Sequence, residues 1–154
     1  MPPPGPERLA PGLAPLARPL ADLREDPRNA RRHPERNLAA IRRSLQLYGQ
    51  RRPVVVRAGV VVAGNGTLAA ARALGWTRLA AVDADDLGEA EARGYALADN
   101  RTAELAEWDP DLLGDELRAL GDAEVPGVAG ETLAERLLDL LGEPLPLPPR
   151  PEPS

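Results

Sequence analysis

The chain has 154 residues, 43% apolar and 28% charged, which is the balance of one soluble globular domain with short tails. It has no Cys, one His and no Lys, so disulfides, zinc-thiolate sites, histidine-only metal sites, a Walker A loop and Schiff-base chemistry are all excluded. Its net charge of −5 is unevenly placed: residues 1–57 hold twelve Arg against five acids, and residues 58–154 hold seven Arg against nineteen acids. A basic front and an acidic back predict an anionic partner on one side only. No apolar run reaches the length of a membrane span, and the Pro-rich start has no continuous hydrophobic region, so a cytoplasmic protein is expected.

Residues 1–15 are rich in Pro and Gly and read as a disordered tail, as do residues 143–154. Between them, residues 16–106 read as the main domain and residues 107–142 as an acidic helical extension. A first short strand is expected at residues 19–23, then a loop through His33. Pro34 suits the first turn of a helix whose apolar face is Leu38, Ile41, Leu45 and Tyr48, with Gly49 as its stop. Val54-Val55-Val56 and Val60-Val61-Val62 read as a hairpin turning at Ala58-Gly59. A helix is expected from Thr67 to Leu74, a strand at residues 79–83, one or two helices over 88–106, and leucine-faced helices at 110–120 and 131–141. The fold class is therefore α/β (α+β): a small mixed sheet with surrounding helices and a C-terminal helical extension.

The chemistry points to Gly64-Asn65-Gly66-Thr67, a glycine turn between a strand and a helix. Unpaired N–H groups and the positive end of the helix dipole meet there, an arrangement that binds phosphate. The same residues equally suit a structural turn with Thr67 as helix cap. They also fit Gly-x-Gly-x-x-Ala, with Asp83 where a ribose-binding acid would follow, so an NAD-type dinucleotide-binding fragment is a rival. Ten Arg in residues 24–57 would, if gathered on one face, neutralise several phosphates. Asp83, Asp85 and Asp86 read as an acidic turn or a hard-cation site.

Four landmarks in order resemble the ParB/sulfiredoxin-like (ParB-like nuclease) domain, in the version associated with phage and bacterial DNA methyltransferases. Asp26-Pro27-Arg28-Asn29-Ala30-Arg31-Arg32-His33 resembles the family's Pro-Arg-x-x-Arg-x-His loop. Ile41 to Pro53 is similar to its helix and following turn, Val60 to Gly75 to the stretch with the Gly-x-x-Arg signature, and Ala98-Asp99-Asn100-Arg101 to its late acidic-Asn motif. The resemblance covers about residues 18–120.

It implies phosphate or nucleotide binding by Gly64, Asn65, Gly66, Thr67, Arg28, Asn29, Arg31 and Asn100, with magnesium at Asp99 and CTP or ATP as ligand. The implied function is a nucleotide- or DNA-phosphate-binding accessory protein of a phage or mobile-element DNA system; weak nucleotide hydrolase or nuclease activity is described for some relatives. The chain departs from the family at two places. Thr67 stands at the signature arginine, which removes a charge-assisted phosphate contact, and Asn65 stands where sulfiredoxin has its nucleophilic Cys. A second reading is a non-catalytic interaction module that partners a DNA methyltransferase or a phage packaging (terminase) component through the acidic helices.

Overall fold

The computed structural model describes residues 7–142, in two compact units that divide after Ala106. In the first unit a four-stranded sheet runs in the order β1 (Ala17–Pro19), β4 (Arg78–Asp83), β2 (Val54–Arg57), β3 (Val60–Ala63). Three helices accompany it: α1 (Glu35–Tyr48), α2 (Asn65–Ala73) and α3 (Glu89–Leu105). The sheet is mixed, since β2 runs parallel to β4 while β1–β4 and β2–β3 are antiparallel.

The valine triplets explain the hairpin. β-branched residues favour strands, and Ala58 and Gly59 both take positive φ, 50° and 78°, the pairing a two-residue turn requires. With no Phe available, the core is assembled from aliphatic residues and Trp76. Leu23, Val56, Val61, Leu68 and Leu79 are each exposed by 1% or less. α1 packs on α2 through its Leu45 and Ile41 face, and α3 packs against β3.

The segment expected to be a disordered tail is structured from residue 7 onward. Residues Pro11–Leu16 form a 3-10 turn beside β4, and Leu9 bridges to Gln50. Arg8 donates to the carbonyls of Gln46 and Leu47 at 2.9 and 3.2 Å, satisfying the open end of α1. Glu7 accepts from the Thr77 hydroxyl at 2.8 Å. Burial pushes the Glu7 carboxyl up, but the Thr77 donors and nearby Arg78 outweigh it and hold the pKa below its usual value. These polar anchors reach across the fold and override the Pro/Gly composition. The first strand is likewise displaced from the expected residues 19–23 to Ala17–Pro19, followed by a short 3-10 turn, Leu20–Asp22. Residues 1–6 and 143–154 lie outside the described residues.

The rival dinucleotide reading does not survive this topology. A doubly wound fold needs a parallel sheet continuing from the strand before the glycine turn. Here that strand, β3, is the edge of the sheet and is antiparallel to β2, with only an isolated bridge from Arg24 on its outer side. Asp83 is engaged elsewhere: its Oδ2 lies 2.7 Å from Arg18. Asp85 accepts the Ala58 N–H at 2.9 Å, so it serves the hairpin turn rather than a cation.

The second unit contains α4 (Pro110–Leu120) and α5 (Leu133–Leu141), packed on each other. Asp109 caps α4 by accepting from the N–H groups of Asp111 and Leu112, and Thr132 with Glu135 forms a reciprocal cap on α5. Arg136 is buried and donates to the carbonyls of Gly121, Ala123 and Gly130, tying the loop between the helices to α5. Among the described residues no helix is long and apolar enough to cross a membrane.

Candidate nucleotide site

β3 delivers the chain to the glycine turn, and the turn sets the start of α2. Gly64 has φ 102°, a left-handed conformation that resists a side chain, and a Cβ there would stand 2.5 Å from Val54 Cγ1. Gly64, not Thr67, is the residue at the helix boundary. The helix has no side-chain cap, and its first closing bond is Leu68 N–H to the Gly64 carbonyl at 3.0 Å. The N–H groups of Asn65, Gly66 and Thr67 therefore precede the intrahelical ladder, at the positive end of the helix.

Three stretches far apart in sequence meet at this helix start. Asn29, Arg31 and His33 from the first loop, Val62 to Thr67 from β3 and α2, and Asp99 with Asn100 from α3 line a cavity of about 180 Å³. A second hollow of about 340 Å³ shares Ala63, Gly64, Thr67 and Asp99 with it and is completed by Arg52, Pro53, Val54, Val55 and Tyr95. Because they share these four residues, we treat the two hollows as lobes of one cleft. The larger lobe falls within the roughly 300–1,000 Å³ of small-ligand sites. Burial, and then the Asp99 charge, raise the pKa of the Tyr95 hydroxyl, so it stays a neutral donor in the second lobe.

Individual side chains divide into those that build the cleft and those left available to a ligand. Asn65 builds it. Its Oδ1 accepts the Asp26 N–H at 3.0 Å and its Nδ2 donates to the Val61 carbonyl at 2.9 Å, so it fastens the first loop to α2. Gly66 builds it too, because a Cβ there would stand 2.8 Å from both His33 Cε1 and Ile41 Cδ1. His33 lies against that glycine, with its Nδ1 2.7 Å from Oδ1 of Asn37 in the first turn of α1. Asn29 Oδ1 accepts the Arg31 N–H, and Asn100 Nδ2 donates to the Ala96 carbonyl. Arg31 lines the cavity, but its NH1 is 2.7 Å from Glu104.

Arg28 is not at this cavity. It turns to a separate hollow of about 270 Å³ lined also by Arg24, Arg57 and Arg93, and stands 3.6 Å from Glu89. Nor are the ten arginines of residues 24–57 one free cationic face. Arg24 and Arg57 donate to backbone carbonyls, Arg42 pairs with Glu35, and Arg36 and Arg43 are also engaged.

The residue that sequence reasoning missed is Gln50. It is 1% exposed, its Nε2 donates to the carbonyls of Ala80 and Arg52 at 2.9 and 3.0 Å, and its Oε1 accepts the Ala80 N–H at 2.7 Å. The amide thus extends the sheet beside β4 just before the β2 pairing begins at Ala81, and it fixes the backbone of Arg52 at the cleft.

No family model matches the sequence, and no curated protein matches it. Solved structures do. C-terminally truncated chromosome-partitioning protein ParB from Caulobacter crescentus, complexed with CTP-γ-S, superposes with a TM-score of 0.60 at 21% identity, over 79% of this chain and 69% of that one. The same truncated ParB complexed to the centromeric parS site gives a TM-score of 0.47 at 18% identity, over 82% of this chain and 64% of that one. The fold is ParB-like: a small four-stranded mixed sheet with helices around it.

Proposed function

We propose that this protein is a ParB-like nucleotide-binding module whose ligand is a nucleoside triphosphate, CTP or ATP, lying across the start of α2. The observation that carries this reading is the convergence of residues 29–33, 62–67 and 99–100 on an uncapped helix N-terminus inside a cleft. Backbone N–H groups of Asn65, Gly66 and Thr67 would hold phosphate oxygens, with the Thr67 hydroxyl as a further donor. The fold shared with a ParB solved with CTP-γ-S supports the choice of ligand.

Asp99 is the carboxylate that lines both lobes, and Asn100 follows it on α3. Among the described residues no three carboxylates or imidazoles are grouped so that they could hold a metal ion. A magnesium ion would therefore be held chiefly by the phosphates and water, with Asp99 as its protein contact, which suits an ion that keeps much of its hydration. When bound it would neutralise phosphate charge and, for hydrolysis, activate water. Weak nucleotide hydrolase or nuclease activity, in an accessory protein of a phage or mobile-element DNA system, is the finer form of this reading and rests on the order of the sequence landmarks. DNA phosphate binding is the less favoured form of the site, because most arginines of residues 24–57 already have partners.

The test is calorimetric titration of CTP, ATP and GTP, each with magnesium, against the full chain. Saturable binding of a triphosphate supports the reading. No heat of binding with any of them, together with salt-sensitive binding of duplex DNA, would overturn it in favour of a DNA-phosphate site.

A second reading, partner docking through the second unit, is favoured by three exposed leucines: Leu112 at 64%, Leu120 at 45% and Leu138 at 40%. A DNA methyltransferase or phage packaging protein is the partner this reading proposes. Leu112→Glu with Leu138→Glu would then abolish co-purification of the partner and leave nucleotide affinity unchanged.

A further inference from the structure

A triphosphate carries several negative charges, and backbone N–H groups alone leave most of that charge unopposed. The cleft therefore needs a cation, and its arginines are unequally available. Arg31 is neutralised by Glu104 at 2.7 Å. Arg72, on α2 itself, donates to the Leu23 carbonyl at 2.6 Å and stands 3.5 Å from Glu25. Arg28 points to the other hollow. Thr67 offers only a hydroxyl, and Asp99 repels phosphate unless a metal intervenes.

Arg52 differs from all of these. It is exposed, its guanidinium has no ion pair or hydrogen bond among the described residues, and it lines the second lobe together with Gly64, Thr67 and Asp99. Its backbone is nevertheless fixed, because its carbonyl accepts from Gln50 Nε2 at 3.0 Å and Gln50 is itself clamped to Ala80. An uncommitted guanidinium on an anchored backbone, lining the same lobe as Gly64 and Thr67 at the start of α2, is available to an anion held there.

We propose that Arg52 is the phosphate-binding cation of this cleft, reaching from the bend before β2 to the phosphate chain of a nucleoside triphosphate held at α2. The inference rests on the nucleotide-binding reading above and adds the residue that makes it selective for phosphorylated ligands. The planar fork of arginine can hold two phosphate oxygens at once, which a lysine ammonium cannot reproduce.

The experiment compares the full-length wild type with Arg52→Ala, Arg52→Lys and Arg51→Ala in calorimetric titrations of CTP and ATP with magnesium. Arg51 is also exposed and lines neither lobe, so its loss removes the same charge one residue away. Arg52→Ala is expected to weaken binding by roughly ten- to a hundredfold, the cost of one charge-assisted contact. Arg52→Lys should recover part of that loss, and Arg51→Ala should stay within about twofold because an exposed, screened charge acts weakly. Unchanged melting temperature of Arg52→Ala without ligand would separate lost contact from lost fold. Wild-type affinity in Arg52→Ala, or equal weakening by Arg51→Ala, would overturn the assignment and leave the nucleotide reading standing. Absence of binding by the wild type would overturn both.

Discussion

Replacing Gln50 with Leu keeps the volume of the side chain and removes only its amide. The structure sets the consequence. Three hydrogen bonds disappear: Ala80 N–H to Oε1, and Nε2 to the carbonyls of Ala80 and Arg52. Ala80 is fully buried, so its N–H and carbonyl would be left unpaired away from water. Each buried orphan costs about 1–3 kcal/mol, and the Arg52 carbonyl, nearer the surface, costs less. A loss of about 2–5 kcal/mol follows, a large share of the roughly 5–15 kcal/mol that holds a domain together. Urea unfolding of wild type and Gln50→Leu, followed by circular dichroism and by tryptophan fluorescence, measures it directly. A loss under about 1 kcal/mol would refute the reasoning, since it would mean that Leu packing offsets both orphans or that water reaches Ala80.

Asn65→Ala should destabilise the first unit by about 2 kcal/mol, because it orphans the Asp26 N–H and the Val61 carbonyl. Hydrogen exchange should speed up first at Asp26, and unchanged exchange there would count against Asn65 as the fastener of the loop. The Arg18–Asp83 pair predicts an acid signature. The hydrogen bond from Arg18 holds the Asp83 carboxyl below its ordinary value of 3.8. A depressed folded-state pKa contributes stability that is present above the unfolded value and is lost as pH falls through the folded one. The stability gap between wild type and Asp83→Asn should therefore be constant near neutrality and shrink in acid, once the pH drops below the ordinary carboxylate range. A gap in urea midpoints that persists in strong acid would contradict the pairing.

Local chemistry was readable where neighbouring residues decide the outcome. The valine triplets with Ala58-Gly59 make the hairpin, and the Ile41–Leu45 face makes α1, because propensity and periodicity act over a few residues. The acidic helices 110–120 and 133–141 were legible for the same reason. The order of the landmarks foretold the ParB-like fold, and the structure brings Asn29, Arg31, residues 64–67, Asp99 and Asn100 to one cavity. What could not be read depends on long-range pairing. Gln50 meets Ala80 thirty residues away, and Arg8 meets Gln46 thirty-eight residues away. The same holds for Arg28, whose neighbour Arg31 turns to the cavity while it turns to Glu89. Gly66 carries a related lesson. Its smallness is explained by the His33 and Ile41 side chains above it, so a bulky residue there would test packing rather than phosphate binding.

The central claim is that a nucleoside triphosphate sits on the start of α2. The most direct measurement is a titration of CTP with magnesium into the isotopically labelled full-length protein, followed by backbone amide shifts. The account predicts saturable shifts at Asn65, Gly66, Thr67 and Asn100, with the amides of α4 and α5 unmoved. Saturable shifts elsewhere that leave residues 64–67 unchanged, or no shifts with any triphosphate, would contradict it.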